Sequence, residues 1–129
     1  MDLLDLSARS LADALRAGEA TVSQHLGRVF SRIDELDPHY QAFSHLRRDD
    51  ARRDAERLDA TPPGQRAGLP LFGVPVAIKE EIAVAGMVTT LGTRANTTPA
   101  GVDSEVVARL KRAGAVIVGK THMPEFGQV

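Results

Sequence analysis

The chain has 129 residues, of which 43% are hydrophobic and 4% aromatic, and its sixteen basic and seventeen acidic side chains leave a formal net charge of -1. That length and apolar content suffice for one buried core, while the balanced charge excludes the strong positive field that nucleic acid or anionic lipid would require. The absence of cysteine excludes disulfides, thiolate metal ligands and cysteine nucleophiles.

In chain order, Ser7 to Ala17 reads as a short helix, with Ser7 as N-cap, Leu11 and Leu15 one turn apart, and Gly18 placed to end it. From Thr21 the apolar positions Leu26, Val29, Phe30, Ile33 and Leu36 recur at helical spacing, and Asp37-Pro38 is expected to stop the pattern. Ala42, Phe43 and Ser44 read as extended. Arg47 to Leu58 reads as a third, surface helix whose charges pair one turn apart, Asp49 with Arg53 and Arg52 with Glu56.

The turn-rich stretch 61–70 reads as a linker between a helical layer, residues 1–60, and an α/β portion, residues 71–129. Val74 to Lys79 is expected to be a strand buried on both faces, Asp103 to Ala113 a helix ended by Gly114, and Ala115 to Val118 a second buried strand. That order is a βαβ unit. Two adjacent parallel strands leave a large open edge, so the expectation is an α/β fold that is incomplete, part of a larger one.

The run Leu71-Phe72-Gly73-Val74-Pro75-Val76-Ala77-Ile78 ends on Lys79, followed by Glu80 and Glu81. A lysine acts as a base only in its neutral form, which burial favours, and the preceding strand is expected to supply that burial. The competing reading is a strand-end lysine that simply reaches water. If the strand continues, Glu81 shares the face of Lys79 and favours its protonated form.

The apolar run ending on Lys79 is followed by Gly86-Met87-Val88-Thr89-Thr90-Leu91-Gly92-Thr93, then by Asp103 to Thr121, and then by Met123-Pro124-Glu125-Phe126. This ordered series resembles the N-terminal part of the amidase signature family, over a span running from about the first helix to Val129. The departures are Glu80 where aspartate is common, Thr93 where serine is usual, and His122 where asparagine often stands.

The resemblance implies a mixed sheet between helices and hydrolysis of a small-molecule carboxamide by a Ser-cisSer-Lys mechanism, with Lys79 as the catalytic lysine and no metal or organic cofactor. It also implies that the two serines lie in a Gly-Ser-rich segment outside this chain, so that the chain, as the N-terminal part of a single amidase domain, is inactive alone. Met123 is a candidate substrate-binding residue, since it follows the C-terminal end of the second strand, where α/β sheets place ligands. The alternatives are a non-catalytic remnant or partner-binding fragment, and the amide-hydrolysing subunit of a tRNA-dependent amidotransferase. A homo-oligomer is left open.

Other signals point away from rival functions. Gly114 to Thr121 satisfies the phosphate-loop pattern G-x-x-x-x-G-K-[ST], but its Ala-Val-Ile-Val centre reads as a strand and not as an open loop of amides. Lys120 is then structural or near the edge of a cleft. His25, His39, His45 and His122 lack metal-ligand spacing. Ser7, Ser10, Ser23, Ser31, Ser44 and Ser104 read as caps or surface hydroxyls rather than nucleophiles. No apolar run approaches the roughly 18 residues of a membrane span, and the acidic start Met1-Asp2-Leu3 is unlike a signal peptide. The expected location is cytoplasmic.

Overall fold

The computed structural model describes residues 2–128. A short 3-10 turn, Leu3–Asp5, leads into helix α1, Ala8–Ala17. Ser7 caps α1 as expected, its hydroxyl accepting from the Ser10 N–H, and Gly18 ends it in the left-handed conformation. Helix α2, Val22–Tyr40, opens on a capping box in which Thr21 accepts from the Gln24 N–H and Gln24 reaches back to the Thr21 N–H.

The end of α2 corrects the sequence expectation, because Pro38 lies inside the helix instead of stopping it. Proline's fixed φ is helical, and so near the C-terminus it removes a single backbone hydrogen bond. The helix then closes at Gln41, whose N–H donates to the Asp37 carbonyl at 2.6 Å, while the Asp37 carboxylate accepts from the Ala42 and Phe43 N–H groups. Those bonds turn the chain into strand β1, Phe43–Leu46.

Helix α3, Arg48–Asp59, is less of a surface helix than its charges imply. Ala51 and Ala55 have no exposed surface, so one turn of small side chains lies flush against the core beside α2. Its ion pairs also differ from those expected: Asp49 pairs with Arg52, Asp50 with Arg53 and Asp54 with Arg57. Residues three and four apart are both neighbours on a helix, and here the three-residue spacing is taken. The stretch read as a linker is ordered, with a 3-10 helix at Pro63–Gly68. Arg66 donates back to the carbonyls of Thr61 and Asp59 and lies over the Phe72 ring.

Strand β2, Pro75–Lys79, and strand β3, Val116–Thr121, are parallel and joined through helix α4, Glu105–Arg112, which is the expected βαβ order. β1 adds antiparallel to the other side of β3, giving a mixed three-stranded sheet in the order β1-β3-β2. Central position explains why β3 is buried from Val116 to Lys120 and runs past its expected end at Val118. Val116 and Val118 join Leu15, Leu26, Phe30 and Phe72 in a core shared with α1, α2 and α3; Ile117 faces the other way, onto Ile78, Val84 and Val107. Gly119 permits the close approach of β1, since a Cβ there would stand 2.4 Å from the His45 carbonyl oxygen.

β2 is not buried on both faces. Ile78 is covered, whereas Ala77 and Lys79 are exposed. Helix α4 and the loop after β2 cover one face, and among the described residues nothing covers the other at this end.

Candidate active site

Two lysines stand at the C-terminal ends of the parallel strands, the edge where α/β sheets present ligands, and their environments are opposite. In the pairing of β2 with β3, Ile78 lies beside Lys120 and Lys79 beside Thr121. Neighbouring positions on a strand take opposite faces, so Lys79 points away from Lys120.

The Lys79 side chain is half-exposed and its ammonium stands 3.1 Å from Glu81 Oε1. The burial expected from the preceding strand is therefore absent, because the face bearing Ala77 and Lys79 is open. The strand also ends at Lys79 in a turn closed by the Ile82 N–H on the Lys79 carbonyl, yet Glu81 still reaches the lysine.

Lys120 is the buried lysine, with no exposed surface. Its ammonium lies 3.9 Å from Glu80 Oε1, 3.2 Å from Thr89 Oγ1 and 3.4 Å from the Val88 carbonyl. Burial holds its pKa below the ordinary lysine value, with the Glu80 charge pulling the other way.

Glu80 is equally enclosed. Burial opposes its ionisation, but hydrogen bonds from Ser44 Oγ and from the N–H and hydroxyl of Thr90, with the Lys120 charge, together hold its carboxyl below the usual carboxylate range. Ser44, expected as a cap or surface hydroxyl, belongs to this buried network. It sits where the pairing of β1 with β3 shifts register between Phe43 and His45, and such a shift re-aims a side chain.

The loop Thr89 to Thr93 and the turn Met123 to Phe126 are locked together beside this network. The Phe126 N–H donates to the Leu91 carbonyl at 2.8 Å. Gly92, at a φ of 75°, lies so close that a Cβ would stand 2.8 Å from the Pro124 carbonyl oxygen. An open groove of about 600 Å³ follows this seam, bordered by Ser44, Thr90, Thr93, Arg94, His122 and Met123. Met123 thus borders the groove, and a Cβ at Gly127 would stand 3.3 Å from its Cε and 3.8 Å from Glu81 Oε2.

The other sequence candidates separate cleanly. Residues 114–121 form a turn and strand β3 instead of a phosphate loop. Ser7 is a cap, Ser23 donates to Asp59 and Ser31 to the Gly27 carbonyl. Ser104 precedes α4 with its Oγ buried and, among the described residues, without a hydrogen-bond partner. Among the described residues no serine hydroxyl is hydrogen-bonded to Lys79, and no cluster of three or more His, Asp or Glu side chains could hold a metal ion. His25 is buried within α2. Glu80 as a buried anchor escaped the sequence reading, although opposite charges at the ends of two adjacent parallel strands are the signal that could have found it.

These features define a layered α/β protein in which the parallel strands β2 and β3 end at one edge of the sheet. The chain belongs to the Amidase family, whose model matches residues 25–129. It is 44% identical over 97% of its length to AmiB2 of Mycobacterium tuberculosis, provisionally named an amidase, and covers 27% of that protein. It is 40% identical over 98% of its length to one subunit of the glutamyl-tRNA(Gln) amidotransferase of Lacticaseibacillus paracasei, covering 26% of it. Among solved structures it resembles the native peptide amidase of Stenotrophomonas maltophilia, with a TM-score of 0.86, 31% identity, and coverage of 95% of this chain and 26% of that one. The chain spans about a quarter of the length of the relatives it matches.

Proposed function

We propose that this chain forms the lysine-bearing part of an enzyme that hydrolyses the C–N bond of a small carboxamide, and that residues 1–129 are one continuous portion of a single amidase domain. The observation that carries this reading is Lys79, set at the ligand-facing end of β2 on an open face, in a chain of the Amidase family. In the reaction, a serine hydroxyl attacks the amide carbonyl, the new C–O bond forms an acyl-enzyme, the C–N bond breaks, and the amine leaves with a proton; water then releases the acid. Neutral Lys79 takes the serine proton through a bridging serine and returns it to the leaving amine.

The two serines belong to residues other than those of this chain, and the same residues would cover the open face of β2. That cover would remove Lys79 from water, and burial favours the neutral form that a base requires. Met123, on the groove wall beside Glu81, would contact the substrate. The chain by itself would be inactive, and the location we infer is cytoplasmic.

The test is amide hydrolysis by the polypeptide that carries this chain, with and without Lys79→Ala. Loss of kcat by about 10² or more, the usual worth of a general acid–base group, is expected. Hydrolysis that survives Lys79→Ala overturns the reading. A second reading, part of the amide-hydrolysing component of an amidotransferase, is favoured by the 40% identity to the Lacticaseibacillus paracasei protein. Hydrolysis of free amides without partner subunits would remove it.

A further inference from the structure

We propose that Glu80, anchored by Lys120, Ser44 and Thr90, is a positioning residue that aims Lys79 and fixes the 89–93 loop; this rests on the reading of Lys79 as the proton-transfer group. Lys79 and Glu80 are consecutive, and their side chains part at the end of β2, one to solvent and the other into the protein. Among the described residues the Lys79 side chain pairs with Glu81, which is itself half-exposed. An exposed pair of that kind orders a long side chain weakly.

The Glu80 side is different in kind. Its carboxylate gathers Ser44 from β1, the N–H and hydroxyl of Thr90 from the 89–93 loop, and Lys120 from β3, and its own N–H donates to the Thr121 carbonyl at 3.0 Å. Lys120 in turn reaches Thr89 and Val88, so the pair ties the loop down at two further points. Three segments distant in sequence therefore meet on one carboxylate, directly behind the residue whose orientation matters. The Thr90 end of the same network borders the groove. Loss of the side-chain anchor leaves the backbone bond from Glu80 to Thr121 in place but releases the loop and slackens the turn that sets the direction of Lys79.

The chain contains three lysines, Lys79, Lys111 and Lys120, so ¹³C relaxation of the lysine Cε groups reports each one separately. Lys111, which pairs with Asp103 at 2.8 Å, serves as the internal control for intact folding. In Glu80→Gln the Lys79 Cε is expected to become more mobile while Lys111 is unchanged. Thr90→Val keeps the charge pair and removes one donor, and is expected to show the same change to a smaller degree, which covers the case in which Glu80→Gln does not fold.

Unchanged Lys79 relaxation in a folded Glu80→Gln protein, or in Thr90→Val where the first variant does not fold, overturns the proposal. In the polypeptide whose hydrolysis depends on Lys79, Glu80→Gln is expected to lower kcat by about 100-fold, the effect of a small misplacement, with KM held. A change confined to KM also overturns it. If hydrolysis survives Lys79→Ala, the catalytic reading fails by that result alone, and the relaxation result decides the role of Glu80 in orienting the side chain.

Discussion

Breaking the Glu80–Lys120 pair from its two ends should destabilise the fold unequally. Both groups are buried, at 1% and 0% exposure, but their remaining partners differ. Lys120→Met leaves the Glu80 carboxylate with three donors, from Ser44 and Thr90. Glu80→Gln leaves a buried ammonium with neutral acceptors among the described residues, Thr89 Oγ1 at 3.2 Å and the Val88 carbonyl at 3.4 Å, and no opposite charge.

At the 3.9 Å separation of the pair, the Coulomb attraction is about 4 kcal/mol for an effective dielectric of about 20. Removing the lysine forfeits that attraction but also removes the several kcal/mol of desolvation that a buried ammonium carries. The expected net loss for Lys120→Met is about 1 kcal/mol, against about 3–5 kcal/mol for Glu80→Gln, which strands a buried charge. The double variant should lose less than the two single losses added. Urea unfolding at neutral pH, followed by far-ultraviolet circular dichroism, measures all four corners of the cycle. Equal single losses, or additivity within about 0.5 kcal/mol, would refute the argument. Glu80 has a lowered pKa, so its contribution is complete above the ordinary value of 4.5 and is lost as the pH falls through its folded value.

Two further outcomes are expected. His25 is buried, and its Nδ1 has no hydrogen-bond partner among the described residues; burial first, and then the Arg28 charge, lower its pKa against the pull of Asp2, so the folded state binds fewer protons than the unfolded one. Stability should therefore fall as the pH drops below 6.5, and His25→Leu should flatten thermal denaturation midpoints measured between about pH 7.5 and 5, a window set by that ordinary value; a parallel pH dependence in the variant sinks this reasoning. Gly92→Ala puts a Cβ 2.8 Å from the Pro124 carbonyl oxygen at a φ of 75°, and should destabilise by about 1–3 kcal/mol. It should also expose the Phe126 amide, now bonded to Leu91, to hydrogen exchange; unchanged protection of that amide would contradict the seam between the two loops.

What the sequence determined by itself is what depends on near neighbours. Ser7, Gly18 and Thr21 mark helix ends because caps are satisfied within three or four residues. The apolar periodicity of α2 and the β-branched runs before Lys79 and after Gly114 likewise declare their elements locally. The end of α2 was not legible at Pro38, because the helix closes beyond it at Gln41, where the Asp37 carboxylate accepts from the Ala42 and Phe43 N–H groups.

The tertiary structure alone decided burial. β1 and β3, more than seventy residues apart, pair so that Ser44 and Lys120 meet Glu80. Strands of similar apolar character came out different, β3 covered and β2 half open, because one is central and the other is not. The same contrast put Lys120 inside and Lys79 outside. A residue's charge and its neighbours in sequence set what it could do, but its desolvation is summed over every segment that packs around it, and those segments meet only in the folded chain.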